Sequence, residues 1–354
     1  MDKIKKYRKS IQSMLATACM IICSSASGQN IITVDNNPSA AADYSNLQEA
    51  INAAEPGDYI YVIPSNSSYG GITIAQEIHL RGMGHLPSGS NNVPSEIGAF
   101  NLQSGCQGSS ISGMKINTIS SSPWETNSDG VTISNCYISY MAVGGNSWTI
   151  EGNIINCAQN NVYGIQNNGY LNTTIHHNVI RFFSELSFAA LNDFDDTSLE
   201  YNNIYILDTR RLASNTSNFQ FNNSVILTLE EADNYITFSS SNLSFQNCLS
   251  YNYSGFSVSN LFGENNLIDT DPMFTNLQND SPLFSYGNNY FPADGSPLLN
   301  AGSDDDNVGI FNDNYDFDQR GHAADLPYIT DLNVLTPAVG QGETLEVNFS
   351  AFGN

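Results

Sequence analysis

The sequence predicts an all-β chain wound as a parallel coil. Three observations carry this. Short segments that alternate apolar and polar recur through the middle of the chain, and none is long enough for a helix. Asn, at 46 of 354 residues, stands near the aligned apolar position of most of them. Hydrophobic residues make up 40% and aromatics 11% of the chain, which excludes the disorder that so much Asn, Ser and Gly would otherwise suggest.

The first 28 residues read as a signal peptide. MDKIKKYRKS is basic, Ile11 to Cys23 is short and mostly apolar, and Ala26-Ser27-Gly28 supplies small residues before a cleavage point. The stretch is too short to span a bilayer, and no later run reaches 18 apolar residues, so no integral membrane segment is expected. The expected location is secreted or cell-surface. Beyond position 28 only six basic residues face 34 acidic ones. That balance repels phosphate backbones and argues against a nucleic-acid partner. Cys106, Cys136, Cys157 and Cys248 form no C-x-x-C pair and read as small buried residues, the alternative being one disulfide whose pairing the sequence does not give.

Residues 29–58 are expected to cap the coil. Ser45 and Gln48 suggest a capping box, Leu47, Ala50, Ile51 and Ala54 form an apolar stripe, and Pro56-Gly57-Asp58 stops the helix. The coil itself is expected over 59–321. Its core is the series VTISNCYI, WTIEGNII, TTIHHNVI, LEYNNIYI, FQFNNSVI and LSFQNCLS, aligned on Ile133, Ile150, Ile175, Tyr201, Phe221 and Phe245. An earlier copy aligns Ile111. A step of about 22 residues without intervening helices is a solenoid period, and the leucine-rich signature is missing. About ten rungs are expected. Asn135, Asn153, Asn178, Asn203, Asn223 and Asn247 follow the aligned residues by two or three positions, as structural Asn at sharp bends would. Residues 322–354 read as a hairpin-like tail, which also resembles the start of a truncated immunoglobulin-like module.

Two stretches carry a family resemblance. DYSNLQEAINAAEPGDYIYVIPSNSSYGGITIAQEIHLRGMG (43–84) resembles the amino-terminal cap and first coils of the pectin-lyase-like, right-handed parallel β-helix superfamily. NLIDTDPMFTN (266–276), GSPLLNAGSDDD (295–306) and YDFDQRG (315–321) resemble the closing coil of bacterial secreted β-helix proteins. The resemblance implies a right-handed coil. It also implies a polysaccharide or cell-surface glycan as partner, and a monomer. The scaffold hosts lyases, hydrolases, adhesins and plain spacers, so it does not fix the activity.

Uronate lyases of that superfamily use an Arg or Lys base and Ca2+ held by carboxylates. Counted along the repeat, Glu185, Arg210, Arg211, Glu230 and Glu231 fall at one angular position, acid–base–acid over three rungs. Arg210 and Arg211 are therefore the candidate base. Asp193, Asp195 and Asp196 are the candidate Ca2+ ligands. His176, Arg181, Glu185, Glu230 and Glu231 are candidate substrate contacts. The bland reading of the charges is a surface ion-pair ladder. His176-His177 reads as exposed polar sequence, because adjacent strand residues point to opposite faces. The G-H-G and R-I-K segments of polygalacturonases are absent. The expectation is an exported carbohydrate-binding or carbohydrate-active protein, a polysaccharide lyase if catalytic. The alternative is a non-catalytic surface or adhesive spacer.

Overall fold

A computed structural model describes residues 29–322 apart from 39, 87–92, 122–127, 159–161, 184–187, 209–210, 230–236, 239, 257–260, 304 and 313–314, together with 328–334 and 347–352. The signal-peptide reading of 1–28 lies outside the described residues.

The chain is a parallel β-solenoid that fits a right-handed β-helix. Its first sheet has 11 strands, from Ile31–Val34 to Gly263–Glu264. A second sheet follows the same axis and takes in a row of two-residue strands that begins with Ile165–Gln166. Each coil contributes one inward side chain at the middle of its first-sheet strand. Leu80, Ile111, Ile133, Ile150 and Ile175 stack in register along the axis. Ile116, Ile138, Ile155, Ile180 and Tyr205 do the same in the second sheet.

The bend between the sheets sets this register. Two residues after the inward side chain, the backbone turns left-handed, at Asn135, Gly152, His177, Asn202, Asn223 and Asn247. Asn and Gly tolerate that conformation best. The next residue turns inward again and binds its counterparts. Cys136 N–H donates to Asn153 Oδ1 (2.9 Å), and the backbone N–H and Nδ2 of Asn153 donate to Asn178 Oδ1 (2.9 and 3.1 Å). Asn178 repeats this toward Asn203 Oδ1 (2.9 and 3.0 Å), and Asn203 N–H donates to Ser224 Oγ (3.0 Å). Every one of these side chains is buried.

This ladder corrects the alignment. Asn203 belongs with Asn153 and Asn178, so Glu200, not Tyr201, takes the inward position opposite Ile175 and Phe221. Tyr201 pairs with His176 on the outer face. The bend needs Asn202 and Asn203 at its corner, and counting back three from the ladder Asn lands on Glu200.

The cap helix Leu47–Ala53 buries Leu47, Ala50 and Ile51 over the first coil. Its N-cap is Asn46, whose Oδ1 accepts from Glu49 N–H (3.1 Å). The Ser45–Gln48 box does not form. Gln48 instead joins Thr73, accepting from its N–H (2.7 Å) and donating to its carbonyl (3.0 Å).

The carboxy-terminal part departs most from expectation. Leu267 makes a last parallel bridge to Leu249, and the chain then doubles back instead of closing further rungs. Phe274–Asn276 and Asn289–Pro292 pair antiparallel. The segment to His322 forms a strap along the outside of the coil. Ser303 meets Asn223, Asn312 meets His177, and Arg320 meets His85. Tyr290, Leu298, Val308, Ile310 and Phe317 bury a second core against Ile154, Val179, Ile204, Ile206, Val225 and Leu227. Strands such as Ile204–Leu207 are therefore buried on both faces, which accounts for their unbroken apolar run. Residues 328–334 and 347–352 pair antiparallel. The four described cysteines are buried and free. No described helix is long and apolar enough to cross a membrane.

Asn178→Ala strands two Asn153 donors and removes the amide that Asn178 gives to the carbonyls of Ile150 and His176. It should cost about 3 kcal/mol, read as a lower urea midpoint. Gln220→Ala, at an exposed side chain on the outer face of the first sheet, should leave that midpoint nearly unmoved.

Candidate functional site

The strap and the coil enclose a groove of about 520 Å³. Its floor is the outer face of the first sheet, where His176, Tyr201, Asn222 and Gln246 stand in one column on successive strands. Its wall is the strap, through Ser303, Asp306, Asn307, Asn312 and Tyr315. The groove therefore exists only because residues beyond 300 run back over the coil. Gly152 lets the strap approach, since a side chain there would run into the Tyr315 hydroxyl.

His176 and His177 are both buried, which corrects the reading of an exposed polar pair. His177 occupies the left-handed corner, so its ring swings toward the strap instead of the opposite strand face. One hydrogen-bonded line results. Asn312 Nδ2 lies 2.8 Å from His177 Nε2, the two Nδ1 atoms of His177 and His176 are 2.8 Å apart, and His176 Nε2 is 3.2 Å from Glu151 Oε2. If Asn312 donates, one tautomer set satisfies every contact. His177 carries its proton on Nδ1 and donates to His176, and His176 presents Nε2–H to Glu151. Burial, with His176 alongside, lowers the pKa of His177 to about 3 and keeps that ring neutral. Tyr201 stacks on His176 at 4.8 Å, and Tyr315 on His177 at 4.1 Å. Burial raises the pKa of both tyrosines, so their hydroxyls stay protonated.

Beneath Tyr201, Glu200 is fully buried. Its Oε1 accepts from Ser224 Oγ (2.6 Å), Asn203 Nδ2 (2.8 Å) and Tyr205 OH (3.0 Å), and Oε2 from Asn222 N–H (2.9 Å). Burial outweighs these four donors and raises its pKa to about 7. When Glu200 is protonated, the Ser224 hydroxyl can turn to Asn222 O, 3.0 Å away, and accept from the carboxyl. Glu200 thus supports the groove floor from inside.

Of the described residues singled out from the sequence as site candidates, only His176 lines the groove. Arg181 donates to Asp208 Oδ2 (2.6 and 3.1 Å) and to Asn156 Oδ1 (3.3 Å) on the second sheet. Arg211 precedes the strand Ala213–Ser214, whereas Asp193, Asp195 and Asp196 follow its neighbour Leu191–Asn192. In that parallel register Arg211 is level with Ala189, about 13 Å along the strands from Asp193. Asp195 Oδ1 closes a turn with Thr197 N–H and Oγ1, and Asp193 accepts from Asn192 Nδ2 (2.9 Å). Arg210, Glu185, Glu230 and Glu231 lie outside the described residues. Sequence reasoning missed Tyr201, Asn222, Gln246, Asn312 and Tyr315 as site residues. The ladder register would have exposed the first three, whereas nothing local places the last two on the coil.

The architecture is that of a parallel β-solenoid. No protein-family model and no curated protein matches the chain. Among solved structures, a crystal structure of pectate lyase Pel9A aligns with 82% of this chain and 98% of its own, at 13% identity and a TM-score of 0.30. The chemistry of the groove is read from this chain's own side chains.

Glu200 makes the protein less stable as pH rises. Its folded pKa lies above the unfolded value of 4.5, so the folded state holds a proton that the unfolded state has released. The stabilisation is complete below pH 4.5 and is lost as pH climbs to 7, by roughly 3 kcal/mol. Glu200→Gln should flatten that slope in urea titrations across pH 4.5 to 7, whatever it costs at any single pH.

Proposed function

We propose that this is an exported carbohydrate-binding protein and that the groove between coil and strap is its glycan site. The observation that carries the reading is the setting of Tyr201. Its ring stands on the outer face of the coil, with His176 stacked on one side. The parallel register puts the short Asn222 side chain on the other side. That leaves ring surface bordering the groove, surrounded by carboxamides and roofed by the strap. An apolar ring face beside groups that both donate and accept hydrogen bonds suits a sugar, which has an apolar face and a rim of hydroxyls.

Catalysis is a narrower reading. Neither Arg181 nor Arg211 lines the groove, so an elimination there would need a base other than those two. We therefore place binding ahead of lyase chemistry. Export by a signal peptide at 1–28 completes the proposal.

The test uses residues 29–354 and a panel of soluble polysaccharides, followed by calorimetry and by ultraviolet absorbance of unsaturated uronate products. Binding to at least one polysaccharide, weakened tenfold or more by Tyr201→Ala, is the expected result. Absorbance that grows with time would convert the reading to a lyase. Absence of binding across the panel would sink it.

A further inference from the structure

We infer that the groove takes a neutral, hydroxyl-rich glycan chain and discriminates against polyuronates. The inference rests on the carbohydrate reading above and narrows it to a substrate class.

A uronate carboxylate only accepts hydrogen bonds and carries a charge, so its site needs a cation or several dedicated donors. Among the described residues, no Arg or Lys lines the groove. Of its two imidazoles, His177 is held neutral by burial, with Nε2 facing amides of Asn312 and Asn202. His176 has Glu151 against its Nε2. Two carboxylates stand near the opening, Asp306 on the strap and Glu151 behind His176. The chain as a whole carries a formal charge of -24, so the long-range field opposes a polyanion too. Among the described residues no group of three or more His, Cys, Asp or Glu side chains could hold a metal ion to bridge the two.

Most of the remaining polar residues are carboxamides, Asn202, Asn222, Asn223, Gln246, Asn307 and Asn312, joined by the hydroxyls of Ser303, Tyr201 and Tyr315. An amide offers both donors and an acceptor, the same dual capacity as a sugar hydroxyl. Asn202 adds a pointed observation. It is buried, and its Oδ1 receives no hydrogen bond from a described residue. A buried acceptor without a donor is costly, and because Asn202 lines the groove, a ligand hydroxyl that reached its Oδ1 would supply the donor. A carboxylate there would place a second acceptor against it.

The experiment is calorimetric titration of residues 29–354 with neutral gluco- and manno-oligosaccharides and with oligogalacturonate, with and without Ca2+, at low and high salt. Neutral oligosaccharides should bind with little salt dependence. Oligogalacturonate should bind at least tenfold more weakly, and the gap should narrow at high salt as repulsion is screened. Asn222→Lys should raise oligogalacturonate affinity several-fold, a gain that a misfolded chain cannot produce. Oligogalacturonate binding more tightly than the neutral sugars, and losing affinity in Tyr201→Ala, would overturn the class while leaving the glycan groove standing. Binding by no sugar, or binding indifferent to Tyr201→Ala, would overturn both.

Discussion

The coil depends on how its corner is satisfied. A solenoid turn has to reverse direction inside a closed core, where each backbone N–H and carbonyl needs a partner. Here the partner is a side-chain amide. Asn153, Asn178 and Asn203 each accept from the preceding rung and donate to carbonyls before the bend. Where Asn gives way to Ser224, the hydroxyl accepts in its place. Where Cys136 or Cys248 stands in the column, the thiol contacts a carbonyl and the backbone N–H still finds the next amide, Asn153 or Asn266. The apolar stacking that fills the core follows from this fixed register, because a one-residue slip would send every inward side chain outward.

That dependence explains what could be read in advance. The period, the parallel coil, the cap helix and the bend Asn residues are local and repeated, so the sequence displays them many times. The error at Tyr201 has a physical origin. Apolarity is a weak ruler where the core admits Glu200 beside Tyr205, and the ladder Asn is the stronger one. The slip moved Tyr201 from the groove floor into the core, and with it went the strongest pointer to the site. The position of the strap is a different kind of loss. Its contacts with the coil join residues 80 to more than 200 positions apart, such as Asn223 with Ser303 and His85 with Tyr286. No periodicity links such residues. The clue that was present is the unbroken apolar run at Ile204–Leu207, which announces a strand covered on both sides.

The strap also changes what the coil's outer face can do. A bare parallel sheet presents flat columns of side chains at the strand spacing, with little to enclose a ligand. Laying Ser303, Asp306, Asn307, Asn312 and Tyr315 beside the column of His176, Tyr201 and Asn222 turns a flat face into a recess. The strap is held there by the second core and by the amide of Asn312 against His177. Cavity and anchor thus share the same residues, and a change that loosens the anchor also opens the groove.

Neutrality is the last consequence of this arrangement. The histidine line from Asn312 to Glu151 has one fully satisfied proton assignment, and in it neither ring carries a charge. Adding a proton at His177 Nε2 would set two donors, the imidazolium and the Asn312 amide, against each other, unless the amide turned over. Burial adds to the same penalty and holds the ring neutral down to about pH 3. His177 therefore keeps its hydrogen-bonding pattern across the whole range in which a free imidazole would titrate. The geometry that seats the strap and the electrostatics that favour an uncharged ligand have a common source, the burial of two imidazoles under residues that lie more than 130 positions away in sequence.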